Sequence, residues 1–95
     1  MDPLFKNFLK VNLDLERGYV TDNGLERTLH SFSDSYVELV RTGFEQMLSD
    51  ESFGPDEYER LTDIEFLDRE TLRSYLQAMY DHLFNDAPEQ PMPPG

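Results

Sequence analysis

The apolar positions at the two ends of the chain follow the period of an α-helix. The first stretch begins after Pro3 and predicts an amphipathic helix that ends near Gly18. The second follows Asp68, which is placed to cap a helix, and its stripe is the most regular of the chain. The apolar residues of the first stretch are Leu4, Phe5, Phe8, Leu9, Val11 and Leu15, and those of the second are Leu72, Tyr75, Leu76, Met79, Tyr80 and Leu83. Each stripe predicts one buried helix face.

Two further helices are predicted between these ends. Asn23 and Glu26 have the spacing of a capping box, as do Ser35 and Glu38 further along the chain. The turn residues of "VTDNG" precede the first of these helices. The apolar positions are Leu25, Leu29 and Phe32 in the first helix and Val37, Val40, Phe44, Met47 and Leu48 in the second. Gly43 interrupts the second helix and predicts the close approach of a neighbouring helix.

The segment between these helices and the last one is strongly acidic and less regular. "GPDEYERL" predicts one or two turns of helix, since Gly54 can cap it and Pro55 suits its first position. "TDIEFLD" leaves two interpretations open. Thr62 and Glu65 have the spacing of another cap, while the apolar residues of the same stretch could instead reach a core from a short connection.

This pattern of helical segments with short connections and no strand signal predicts an all-α fold. We expect a small antiparallel bundle of three to four helices that forms one domain over residues 1–85. Residues 86–95 contain four prolines and almost no apolar surface, so they predict a disordered tail. At 95 residues, with 38% hydrophobic residues, the chain has enough apolar material for one modest core.

The formal net charge of −12 is concentrated in one segment, and this concentration bears on which partners the protein can bind. Residues 45–70 contain ten acidic and two basic residues, so two thirds of the net charge lie in 26 residues. A surface of this kind repels phosphate, which disfavours nucleic acids and anionic membranes as partners. The natural counterpart is a cationic protein.

The sequence lacks the residue patterns that catalysis or cofactor binding would require. There is no cysteine to act as a nucleophile or a thiolate ligand. The two histidines, His30 and His82, fall in different predicted helices, and no serine nucleophile motif lies near them. We therefore expect both histidines at the surface or its boundary. A calcium loop that began at Asp50 would place Pro55 at the sixth position, where glycine is required. The glycines do not form a phosphate-binding loop motif such as GxGxxG or GxxxxGK. The sequence therefore predicts neither an enzyme nor a cofactor or metal site. The N-terminal stretch has neither the pattern of a signal peptide nor that of a membrane span, so we expect a cytoplasmic protein.

The acidic segment is the candidate binding site, because aromatic residues lie among its acids. Aromatic rings supply buried area at an interface, while carboxylates steer a basic partner and pair with it. Tyr58 is the preferred anchor, while Phe53 and Phe66 could equally be core residues, and core is the favoured assignment for Phe66. The predicted partner-binding residues are Asp50, Glu51, Asp56, Glu57, Tyr58, Glu59, Asp63 and Glu65. The alternative is a solvated face that only keeps a small protein in solution.

A cysteine-free, strongly acidic helical chain of this size, with acids and a tyrosine clustered between its later helices, resembles the small immunity proteins of bacterial nuclease toxins. Colicin and contact-dependent inhibition systems contain such proteins. The resemblance covers size, charge and helical order and includes no residue-level motif. It implies a bacterial, cytoplasmic inhibitor that neutralises a basic nuclease toxin domain by covering its cationic cleft or the surface beside it.

Two other functions remain open. A DNA mimic of the anti-restriction or anti-CRISPR type would use the same acids, although a mimic requires them along an extended surface. A regulatory adaptor would accept a partner's helix in a groove, and a symmetric dimer would use Tyr75, Met79 and Tyr80 of the last helix as its seam. We favour a core role for that stripe, and a monomer.

Overall fold

The computed structural model describes residues 1–21 and 24–94, and this part of the chain is all-helical. It has a radius of gyration of 12.2 Å. Five helices form in the described residues, so the predicted bundle of three to four helices is not confirmed, although the two short segments, after residue 23 and in the acidic stretch, are helical as predicted. The five helices are α1 (Pro3–Asn12), α2 (Gly24–His30), α3 (Asp34–Ser49), α4 (Pro55–Thr62) and α5 (Arg69–Phe84). No helix of the described residues is long and apolar enough to cross a membrane.

The helix boundaries follow local capping contacts. Ser33 caps α3 by accepting a hydrogen bond from the Tyr36 amide, so the cap predicted at Ser35 is wrong by two residues. The cap predicted at Asp68 is confirmed, since its carboxylate accepts from the Thr71 amide at 2.8 Å. The cap predicted at Asn23 and part of the "VTDNG" turn lie outside the described residues.

The first helix is shorter than the periodicity predicts. It ends at Asn12, and the chain then turns, with the Asp14 carboxylate accepting from the Arg17 amide at 2.9 Å. Leu13 is therefore buried although it lies outside the predicted stripe. Three members of that stripe, Leu4, Val11 and Leu15, are exposed. Rotation by 100° per residue carries the first two to the edge of the face that holds Phe5 and Phe8.

The core lies where α1, α3 and α5 meet. The Phe44 ring of α3 packs edge-on against Phe5 of α1, with a centroid distance of 5.3 Å, and it also lies 6.3 Å from Phe84 of α5. Gly43 permits this approach, because the Phe5 ring occupies the space that a side chain at position 43 would fill. The predicted close approach at Gly43 is thus confirmed.

The stripe of α5 faces this core along its whole length. Tyr75 and Met79 are buried within the domain, so these two residues are not available as a dimer seam, whereas Tyr80 is half-buried. His82 is also buried, at 1% exposed, which corrects the expectation of a surface or boundary histidine. It lies three residues after Met79 and therefore on the same buried face.

Residues 86–94 lie against the helices in this structure, so the disorder predicted for the tail is not confirmed. Gln90 is only 7% exposed, and its Nε2 donates to the Val20 carbonyl oxygen at 3.0 Å. Pro93 is buried as well. The contacts of this segment run to the end of α5 and to the loop after α1.

Candidate functional site

The acidic residues of α4 lie on its outer face because they follow the helical period. Asp56, Glu59, Arg60 and Asp63 occur at i, i+3, i+4 and i+7, and all four are exposed. The opposite face of α4 is buried. The helix has Gly54 as its cap and Pro55 at its first position, as predicted.

The side chains of the connection from α4 to α5 point alternately to the core and to the surface. Thr62, which is fully buried, accepts from the Ile64 amide through its hydroxyl, and its carbonyl accepts from the Leu15 amide at 2.8 Å. These contacts fix the start of the connection after α4, in which Ile64 and Phe66 face the core. Glu65 and Leu67 therefore face outward. No helix begins at Thr62, which settles the open interpretation of this stretch as a connection that reaches the core.

This path produces a concave surface between α4 and the connection, which we call the acidic groove. Its volume is about 380 Å³, and it is lined by Gly54, Pro55, Asp56, Glu57, Glu59, Glu65, Phe66, Leu67 and Arg69. A second depression of about 340 Å³ shares Asp56 and Glu59 with the groove and adds Arg60 and Asp63. Five of the predicted acids therefore surround two adjoining depressions.

Four of these five carboxylates have no hydrogen bond or ion pair within the described part of the chain. They are Asp56, Glu59, Asp63 and Glu65. Glu57 differs, because its Oε1 accepts from the Gly54 amide at 3.0 Å and caps α4, while its Oε2 lies 3.8 Å from Arg60. The negative charge of the groove is therefore left largely uncompensated by the protein itself.

Arg69, which lines the groove, and Arg73 bind backbone carbonyl groups instead of carboxylates, whereas Arg60 pairs with Glu57. Arg73 donates to the carbonyl oxygens of Leu48 and Asp50 at the C-terminal end of α3, where a cation compensates the helix dipole. Arg69 donates to the carbonyl oxygen of Glu51. Both cations thus stabilise the α3–α4 turn and pair with none of the acids of the groove.

Asp50 and Glu51, also predicted to bind a partner, lie in the α3–α4 turn and do not line the groove. Asp50 accepts two hydrogen bonds from Ser52, from its hydroxyl at 2.6 Å and its amide at 2.9 Å. These bonds favour the ionised form and lower the pKa of Asp50 below its ordinary value. Asp50 thus shapes the turn, while the Glu51 carboxylate is exposed beside it.

Tyr58, the predicted anchor, is a core residue. Its side chain is 0% exposed, and its ring packs edge-on at 5.5 Å from Phe66 and 6.4 Å from Tyr75. Burial raises the pKa of Tyr58 well above its ordinary value. The prediction that Tyr58 contacts a partner is therefore wrong for this fold. A signal was present in the sequence, since Tyr58, Leu61 and Thr62 share one face of α4.

Leu67 is the apolar residue of the site that sequence reasoning missed. It is 91% exposed and lies on the rim of the acidic groove between Glu65 and Asp68. Its neighbour Phe66 is 3% exposed, which confirms the favoured core assignment. The groove thus combines unpaired carboxylates with one projecting leucine.

Within residues 1–21 and 24–94, no group of three or more acidic or histidine side chains is arranged to hold a metal ion. Comparisons with protein-family models, with curated proteins and with solved structures give no match to this chain. The resemblance to immunity proteins accordingly stays a prediction.

Proposed function

We propose that this protein is an acidic inhibitor that binds a basic protein through the acidic groove. The observation that carries the proposal is the set of four unpaired carboxylates around the two adjoining depressions. Concentrating like charge in this way opposes folding by self-repulsion, and a cationic partner would relieve that repulsion. Leu67 replaces Tyr58 in the proposal as the apolar contact.

The partner that fits best is a nuclease toxin domain, as in the immunity systems that the sequence resembles. A nuclease binds phosphate and therefore carries a cationic cleft. A partner of this kind would place lysine or arginine side chains against Asp56, Glu59 and Glu65, and an apolar depression against Leu67. Covering the cleft, or the surface beside it, would exclude the nucleic acid by charge and by volume. This function requires no catalysis by the inhibitor.

The test is an affinity capture with three versions of the full chain. One is the wild type, one carries Asp56→Asn, Glu59→Gln and Glu65→Gln, and the matched control carries Glu16→Gln, Asp34→Asn and Glu89→Gln. The two variants lose equal charge, and the control acids are exposed and lie outside the groove. Each version is immobilised, exposed to lysate of the source cells and eluted with salt.

We expect a basic protein that the wild type and the control retain to high salt and the groove variant releases early. The purified partner should cleave nucleic acid, and the inhibitor should abolish that activity. In the purified pair, the groove variant should associate more slowly and with a weaker dependence on salt, while Leu67→Ala should mainly speed dissociation. Equal retention of the groove variant and the wild type would refute the assignment. Early release of many DNA-binding proteins would favour the DNA mimic.

A further inference from the structure

The chain reverses direction after α5 through a short hinge. The amides of Asn85 and Ala87 both donate to the Asp81 carbonyl oxygen, at 2.9 and 3.1 Å. Between them, Asp86 has a φ of 61°, which lies in the left-handed region. This hinge directs residues 86–94 back over the domain rather than away from it.

Three side-chain contacts then hold this segment. The His82 ring donates through Nδ1 to the Ala87 carbonyl oxygen at 2.7 Å, since a carbonyl can only accept. Gln90 binds the Val20 carbonyl oxygen through its Nε2, and the Tyr19 hydroxyl donates to the carbonyl oxygen of Pro94. The contacts are spread along the whole segment, so it is docked over its full described length.

The docked segment is nevertheless separate from the core. The core cluster consists of residues between Phe5 and Leu83, and no residue of the segment belongs to it. Beyond Ala87, the described part of the segment makes no backbone–backbone hydrogen bond. Docking also leaves the Gln90 Oε1 atom buried without a hydrogen-bond partner, which weakens the docked state.

We propose that residues 86–94 form a releasable strap, which opens as one unit while the five helices stay folded. Opening frees the Tyr19 hydroxyl, the Val20 carbonyl oxygen and the His82 Nδ1 atom, which the strap binds when it is docked. Elements with few buried apolar contacts and few backbone hydrogen bonds open locally at lower free energy than the whole domain. The strap has both properties, whereas α5, from which it extends, has a fully buried stripe.

The test is native-state hydrogen exchange on the full chain, followed by NMR. The reporter is the Ala87 amide at the base of the strap, and the reference is the buried Leu76 amide of α5. We expect Ala87 to exchange more slowly than in an unfolded peptide, faster than Leu76, and with little dependence on low concentrations of denaturant. Exchange of Ala87 at the unfolded-chain rate would show that the strap does not dock. Exchange with the rate and denaturant dependence of Leu76 would show that it does not open separately.

A variant distinguishes a cooperative strap from a local turn. Tyr19→Phe removes only the hydroxyl that binds Pro94, seven residues from Ala87. It should speed exchange at Ala87 about five-fold, as expected for one lost hydrogen bond, and leave Leu76 unchanged. Tyr36→Phe, which removes a hydroxyl on α3, should change neither amide. If Tyr19→Phe leaves Ala87 unchanged, the segment does not open as a unit and the proposal fails.

Discussion

The Phe5 ring of α1 lies directly against the Cα atom of Gly43 on α3, in the space that any larger residue would need. This contact sets the separation of the two helices, and it brings the Phe5 and Phe44 rings to a centroid distance of 5.3 Å. The glycine is therefore a packing requirement, although glycine within a helix costs about 1 kcal/mol relative to alanine.

The first prediction concerns this glycine. Gly43→Ala should destabilise the protein by about 1–3 kcal/mol, because overlap with the Phe5 ring outweighs the gain in helix propensity. Urea denaturation followed by circular dichroism measures the change. Thr42→Ala is the matched control, since Thr42 is exposed on the same helix and should alter the free energy of unfolding by only a few tenths of a kcal/mol. A stabilised Gly43→Ala variant would mean that the helices can separate at no cost.

The second prediction separates the ring of Tyr58 from its hydroxyl. The hydroxyl is buried near that of Tyr75 but makes no hydrogen bond of normal geometry among the described residues, whereas the ring packs against three other aromatic rings. Tyr58→Phe should therefore leave the free energy of unfolding within about 1 kcal/mol of wild type, or raise it. Tyr58→Ala should lower it by about 3–5 kcal/mol. A large loss of stability on Tyr58→Phe would show that the hydroxyl makes a stabilising hydrogen bond.

The third prediction concerns the two apolar neighbours on the rim of the acidic groove. Leu67→Ala should change stability by no more than about 0.5 kcal/mol, because the side chain is 91% exposed. Phe66→Ala should lower the free energy of unfolding by about 3–5 kcal/mol, because its ring is buried against Tyr58 and Tyr75. Thermal unfolding of both variants measures the contrast. Comparable destabilisation by the two substitutions would place Leu67 in the core instead.

The fourth prediction is a pH dependence that comes from Asp68. The hydrogen bond from the Thr71 amide lowers the pKa of the Asp68 carboxyl below its ordinary value of 3.8. The ionised carboxylate therefore stabilises the folded state above pH 3.8, and this contribution is lost as the pH falls through the lower, folded pKa. Asp68→Asn keeps an acceptor for the cap but does not titrate.

The measurement for Asp68 is the free energy of unfolding of both proteins from neutral pH down to the acid limb. Wild type should be the more stable above pH 3.8, and its advantage over Asp68→Asn should shrink steadily below that pH. Parallel curves for the two proteins throughout this range would show that the cap does not depend on the charge of Asp68.

Sequence reasoning succeeded mostly where a contact is local, although the cap of α3 lies at Ser33 instead of the predicted Ser35. The cap at Asp68, the Gly54–Pro55 start of α4 and the stripe of α5 all depend on residues within a few positions of each other. Helical hydrogen bonds and capping bonds span three or four residues, so a period or a spacing predicts them directly. The concentration of negative charge in residues 45–70 likewise needs no fold to be recognised.

The candidate site, in contrast, depended on contacts between distant parts of the chain. The bond from the Leu15 amide to the Thr62 carbonyl directs the connection after α4, and so decides that Phe66 is buried while Leu67 is exposed. Arg69 lines the groove but binds the Glu51 carbonyl oxygen, 18 residues away in the chain, rather than a carboxylate. The helices and the sign of the charge can be predicted from the sequence alone, because they follow from neighbouring residues. Which side chains of the acidic segment remain free depends on the fold, because burial and pairing depend on the residues that distant parts of the chain place beside them.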